Sequence, residues 1–395
     1  MASFAGDITQ DMARRDFTVD ALALSLDDAP KELPGDGLID PFGGRSDVAT
    51  ATVRAVSGRA FRDDPARLMR AVRLVAQLGF SLDGDTQQLI KRDAHLLSTV
   101  APERLRDELL KTLAEPGASH HLRLMDDLGL LCRLIPELEA ARGVAQPKEH
   151  HWDVFYHSLE AAGQVERVTW EKGRAGDEVL SHVPWHPSLE AYFEEEVSDG
   201  HARRTIIKLA GLLHDIAKPA TRTIEPNGRM RFLGHDTQGA RVSEGVLRRL
   251  RLSSRGIHQV STMIEHHLRP TQMNQAVELP TRHAIYRYFR DVGEVAIDTL
   301  YLNLADYLAA KGPDIELEDW RGHCRLIVHI LQQGLEGEAA PQRMPRLVDG
   351  HALMEALGLS PGPLVGRLLE AIQEAQGAGE VKTGQEALEL ARRLM

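Results

Sequence analysis

Residues 61–80 read FRDDPARLMRAVRLVAQLGF, and the spacing of their apolar side chains decides the fold class. Leu68, Ala71, Val72, Val75 and Leu78 recur at intervals of three and four, which is one face of an α-helix. Asp64 suits an N-cap, Pro65 the first helical position and Gly79 the C-terminal stop. APERLRDELLKTL (101–113) repeats the scheme with Pro102 at its start, and amphipathic stretches continue to the C-terminus. Upstream the pattern differs. LPGDGLIDPFGGRSDVATATVRAVSG (33–58) alternates short β-branched runs with Gly35, Gly37, Pro41, Gly43 and Gly44, as the closing piece of an α/β domain would. The expected fold is mainly α, with a short α/β remnant in front.

The bulk numbers set bounds. The chain has 395 residues, 43% hydrophobic and 27% charged, which are globular values and too many residues for one ordinary core. Its net charge of −11 argues against nucleic-acid binding by the molecule as a whole, so local basic stretches must carry any such role. Cys132 and Cys324 are the two cysteines, which give no disulfide framework and no Cys-based zinc site. A reducing cytoplasm is the natural compartment. The N-terminus has no apolar signal core, and no apolar run approaches eighteen residues, so no membrane partner is expected.

Two groups of residues carry chemistry. In the first, ARRDFTVDAL (13–22) places an arginine pair beside a carboxylate, a combination that grips phosphate and ribose. Asp64 and Arg67, three apart at a helix start, offer acceptors beside donors. That edge complements cytosine and adenine and rejects guanine and uracil, although Asp-Pro-x-Arg is also an ordinary helix opening. In the second group, LAGLLHDIAKP (209–219) carries His214-Asp215 near the end of an apolar helix. That pair holds a divalent metal only if other helices bring ligands. The candidates are His157, His235, His266 or His267, and Asp306. His and carboxylate donors suit Mn, Fe, Ni, Co or Mg.

Two further stretches stand out. Residues 173–203, containing FEEEVSDG, read as a solvated loop or linker. RVSEGVLRRLRLSSRG (241–256) has five arginines against one glutamate, and Arg248 and Arg249 are candidates for contact with an RNA backbone.

Taken in order, RRDFTVDALAL, LIDPFGG and AFRDDPARLMRAVRLVAQLGF resemble the bacterial class II tRNA nucleotidyltransferase (CCA-adding)/poly(A) polymerase family. The resemblance continues through PERLRDELLKTL, LGLLCRLIPEL and the last forty residues. It implies that Arg14, Arg15 and Asp16 contact triphosphate and ribose, and that Asp64 and Arg67 read the incoming base of CTP or ATP. Asp63 stands where the family has Glu, and Asp20 where it usually has Asn. The family opens with a segment carrying an Asp-x-Asp pair that holds two metal ions. Residues 1–13 supply none, so the resemblance implies a head truncated as written, without transfer chemistry of its own.

The order His…His-Asp…Asp resembles the HD superfamily of metal-dependent phosphohydrolases. His157, His214, Asp215 and Asp306 would then hold metal, with His150 or His151 competing for the first place. His235 and His266 would make room for a second ion, and Lys218 would stabilise phosphate charge. The expected organisation is a head remnant at 1–57, a helical neck at 58–140, an HD domain at 141–335 and a helical tail at 336–395. The expected role is tRNA 3′-end processing, with tRNA or RNA 3′ ends as partners and metal-dependent phosphoester hydrolysis at the HD site. The alternatives are a stand-alone HD hydrolase acting on cyclic phosphates, nucleotides or RNA ends, and a non-catalytic RNA-binding module that complements a separate head.

Overall fold

The computed structural model describes residues 7–24, 37–147, 150–273, 279–335 and 345–395. The LPGD (33–36) of the first glycine-rich stretch lies outside the described residues. Among the described residues its strands are two residues long: Ala23–Leu24 pairs antiparallel with Leu38–Ile39, and Thr52–Val53 pairs in parallel with Ser81–Leu82. That second pair ties the first segment to the helical neck. Phe17 and Val53 are fully buried, and the Phe17 ring packs 6.3 Å from Phe61. The first segment therefore shares the neck's apolar core.

The decisive helix runs Arg67–Leu78 and ends at Gly79, whose φ of 66° is the left-handed conformation that glycine adopts without strain. It starts later than the sequence suggests. Asp64 accepts from the Ala66 amide at 3.2 Å and holds a tight turn, so Pro65 precedes the helix and Asp64 is not its N-cap. Pro102–Ala114 begins at its proline as expected.

The body is a bundle whose centre is the Arg203–Leu213 helix, with every residue buried. Val154–Thr169, Ser254–His266 and Ala296–Lys311 pack around it. Gly211 sets one of these contacts. A Cβ there would lie 3.2–3.3 Å from the backbone of Ala161 and Ala162, so the two helices touch main chain to main chain.

The central helix also buries three cations, and each is paired, as a low-dielectric interior requires. Arg203 meets Asp298 at 3.0 Å and Glu195 at 2.6 Å. Arg204 meets Glu190 at 3.0 Å and also Glu194. Lys208 donates to the carbonyls of Leu113 and Glu115 and lies 3.1 Å from Glu166. These partners correct the reading of 173–203 as a solvated linker. Its acids neutralise buried arginines, and its Phe193 and Val197 are buried.

The tail packs Gly350–Leu357, Pro363–Gly377 and Gly384–Leu394 around its own small core, with Thr383 and Glu386 forming a reciprocal cap. It is fastened to the body where Arg290 meets Glu370 and Glu374, each at 3.1 Å.

Candidate metal centre and nucleotide cleft

Five helix ends and faces converge on one buried point. His157 lies on Val154–Thr169 and Asp306 on Ala296–Lys311. His214 closes Arg203–Leu213, with Asp215 directly after it. His235 opens His235–Arg249, and His267 closes Ser254–His266.

The donor atoms are crowded. His157 Nε2 and His214 Nε2 are 3.2 Å apart. Asp215 Oδ2 is 3.2 Å from each of them, and Asp306 Oδ1 is 3.0 and 3.4 Å away. On the other side, Asp215 Oδ1 lies 3.4 Å from His235 Nε2 and 4.0 Å from His267 Nε2. One carboxylate thus faces two sets of ligands, one oxygen to each.

Three of the imidazoles are held by the same device. The Nδ1–H of His214 donates to the Gly211 carbonyl, that of His235 to Phe232 and that of His267 to Ile264, at 2.6–2.8 Å and always three residues back. Gly211 and Ile264 lie in the last turns of their helices, where carbonyls lack an intrahelical partner, and Phe232 ends the Met230–Phe232 strand; in each case the ring satisfies the carbonyl. The bond fixes the tautomer and leaves the Nε2 lone pair aimed inward, the usual arrangement of a metal-ligating histidine.

The electrostatics of the cluster suit a bound cation. Asp215 Oδ1 and His235 Nε2 are buried without a hydrogen-bond partner. Burial opposes charge on His214, but Asp215 and Asp306 outweigh it and carry the imidazole up to about 10. Burial also opposes charge on Asp215 and Asp306, yet His214 and its neighbours hold both well below the usual carboxylate range. The donor set of imidazole and carboxylate suits a divalent transition ion or Mg. Among the described residues, the groups close enough to share an ion are His157, His214 and Asp306, and His214, Asp215 and His267.

His266 corrects to His267. His266 is only half-buried and does not reach the cluster, whereas His267 is 1% exposed. His267 continues the buried face of Val260, Met263 and Ile264, which only the packed helix reveals. Lys218 lies beside the cluster, with its Nζ 2.6 Å from Asp215 Oδ2 and donating to Gln146 Oε1 at 2.7 Å. His151 is turned away, 3.1 Å from Asp314.

A second cleft, of about 330 Å³, is lined by Arg14, Arg15, Asp16, Asp20, Asp64, Arg67, Arg70 and Arg104, among others. It brings together all five residues of the first group. Their partners differ from the simple picture of an Asp64–Arg67 edge. Asp64 is gripped at both oxygens by Arg104, at 3.0 and 2.7 Å, which holds its carboxyl below the ordinary value. Arg67 donates to the Arg14 carbonyl at 2.7 Å and the Ala60 carbonyl at 3.3 Å, stitching the first segment to the neck. Arg70 lies 2.9 Å from Asp16 and 3.4 Å from Asp20, so the additional carboxylate at 20 has a cation beside it. Sequence spacing does not single out Arg70 or Arg104. Arg70 comes one helical turn after Arg67, while Arg104 belongs to a helix 40 residues on from Asp64.

The two arginines proposed for RNA differ. Arg249 is bound at both nitrogens by Glu137, at 2.7 and 2.8 Å. Arg248, paired with Glu244 along its own helix, keeps its side chain 67% exposed.

Three family models match the chain. Residues 1–54 match the poly(A) polymerase head domain, 79–142 the probable RNA- and SrmB-binding site of polymerase A, and 154–311 the HD domain. An A-adding tRNA nucleotidyltransferase of Deinococcus radiodurans is 34% identical over 96% of this chain and 78% of its own length. A CC-adding tRNA nucleotidyltransferase of Thermus thermophilus is 31% identical over 97% and 76%. The chain belongs to the tRNA nucleotidyltransferase family, an enzyme family. The fold agrees: a CCA-adding enzyme solved with CTP superposes with a TM-score of 0.58 at 22% identity, over 98% of this chain and 72% of that one. The Thermotoga maritima CCA-adding enzyme solved with tRNA gives 0.55 at 20%, over 98% and 74%. Among the described residues, no helix is long and apolar enough to cross a membrane.

Proposed function

We propose that the chain acts in tRNA 3′-end processing and that its HD centre hydrolyses phosphoesters, such as a 2′,3′-cyclic phosphate or an exposed RNA end, with two divalent ions. The observation that carries this reading is Asp215. Its two oxygens face two separate sets of imidazole nitrogens, and Oδ1 is buried with no hydrogen-bond partner. His157, His214, Asp306 and Asp215 Oδ2 would hold one ion, and His235, His267 and Asp215 Oδ1 the other. Ions so bound supply an activated water at neutral pH and charge stabilisation for the phosphoryl oxygens. Lys218 adds a fixed positive charge on the same side. Gln146 holds that ammonium in place through its side-chain carbonyl.

The Deinococcus and Thermus relatives act on tRNA, and solved relatives contain CTP or tRNA. We carry that substrate class to this chain: CTP or ATP in the arginine-lined cleft, with Asp64 and Arg67 facing the base and Arg14, Arg15 and Asp16 the triphosphate and ribose. Exposed Arg248 would add contact with the RNA backbone.

The test is hydrolysis of 2′,3′-cyclic AMP and of RNA ending in a cyclic phosphate. Activity should vanish with chelator, return with Mn or Ni, and be abolished by His214→Ala. A metal-loaded chain inert toward cyclic phosphates, nucleotides and RNA ends would refute the hydrolytic assignment.

A further inference from the structure

His150 borders the centre without belonging to its ligand sets. Its ring meets the His157 ring edge to face, with centroids 5.7 Å apart. The backbone here is anchored: the His150 amide donates to the Pro147 carbonyl at 2.9 Å, and the His151 amide donates to Ala310 at 2.7 Å. That second bond ties the segment to the helix carrying Asp306. Gln146, four residues before His150, donates to the Trp152 carbonyl at 3.3 Å and accepts from Lys218. Gln146 therefore links Lys218 to the segment that carries His150.

His150 and His157 both leave a buried Nδ1 without a partner, but His157 turns its Nε2 to the ligand set and His150 stands outside it. His214, His235 and His267 each spend their Nδ1 on a carbonyl three residues back. The Nδ1 of His150 is buried and has no partner. A buried polar atom left unpaired in a native site calls for an explanation, and an absent hydrogen-bonding ligand is one. The ligand chemistry that suits the place is an acceptor oxygen bearing negative charge, because Gln146 holds the ammonium of Lys218 to the same segment.

We propose that His150 donates its Nδ1–H to a non-bridging phosphoryl oxygen of the substrate, with Lys218 on a second oxygen, making His150 a substrate-contacting residue of the HD centre. This rests on the phosphohydrolase reading of that centre. It assigns His150 to the phosphate and leaves the first ligand position to His157.

The experiment loads the full chain with Mn²⁺, counts the bound metal, and titrates inorganic phosphate by calorimetry. His150→Ala should weaken phosphate binding by roughly tenfold or more, the effect of losing one hydrogen bond to a charged group, with metal stoichiometry unchanged. His150→Asn places an amide nitrogen where Nδ1 lies and should retain most of the affinity. His150→Gln places it at the Nε2 position and should not. Phosphate binding of equal strength in all three variants would overturn the proposal, as would loss of bound Mn²⁺ in His150→Ala, which would make the residue a ligand. If the unsubstituted chain binds no Mn²⁺, the metal centre itself is wrong and the inference falls with it. The Asn and Gln variants keep the comparison decisive if the alanine variant does not fold.

Discussion

Replacing Asp215 by Asn should separate the metal-bound protein from the metal-free one. The substitution conserves volume and removes the one charge that faces both ligand sets. In the metal-free chain the loss falls on Lys218, 2.6 Å away with its side chain 10% exposed. Breaking a buried ion pair typically costs about 3–5 kcal/mol. Here Gln146 still accepts from the ammonium at 2.7 Å, so a cost of about 2–3 kcal/mol is expected. The effect on metal should be larger. Loss of an outer-shell partner alone costs about 10–100-fold in affinity, so loss of a shared anionic ligand should cost at least about 100-fold. With Mn²⁺ at about a thousand times its dissociation constant, each site of the unsubstituted chain adds about 4 kcal/mol of stability, and each site of Asp215→Asn at the same concentration about 1.4 kcal/mol or less. Urea unfolding with and without Mn²⁺, together with metal counting on the dialysed proteins, measures both quantities. An Asn variant that keeps two ions per chain and the full metal-induced stabilisation would refute the bridging role.

Other perturbations test the neighbouring parts. Gly211→Ala should destabilise the body by roughly 1–3 kcal/mol in urea unfolding and weaken Mn²⁺ binding, because its Cβ would lie 3.2 Å from the backbone of the helix that carries His157. Arg67→Ala should weaken CTP and ATP binding by calorimetry and also lower stability, since Arg67 bonds the Arg14 carbonyl, and equal binding of all four nucleotides would reduce Asp64 and Arg67 to structural residues. Asp298 is raised to about 6, by burial above all and despite Arg203 and Tyr192. The folded chain holds that proton more tightly than the unfolded one, so the contribution of Asp298 to stability is greatest below the usual carboxylate value and declines as pH rises through about 6. Asp298→Asn should flatten the stability profile across that window in urea titrations at successive pH values, and an unchanged slope would count against the shift.

Much of this protein was legible in one dimension. The mainly helical fold comes from apolar residues spaced three and four apart, a property of the chain that needs no partner to be seen. Gly79 and Pro102 mark helix ends because the backbone permits little else there. The residue types of both sites were visible for the same reason, since imidazole beside carboxylate and guanidinium beside carboxylate are rare chemistries wherever they fall.

Spacing alone left other things open. His266 and His267 are adjacent and chemically identical, and only the buried face of the Ser254–His266 helix selects the second. Arg104 grips Asp64 across 40 residues of sequence, so no local pattern announced it. The acids of 173–203 looked like solvated charge, and became core partners only once Arg203 and Arg204 were buried beside them. The direction of each imidazole was likewise decided in three dimensions. A histidine names two nitrogens, and which of them faces the centre depends on whether a carbonyl, a carboxylate or nothing at all meets the other.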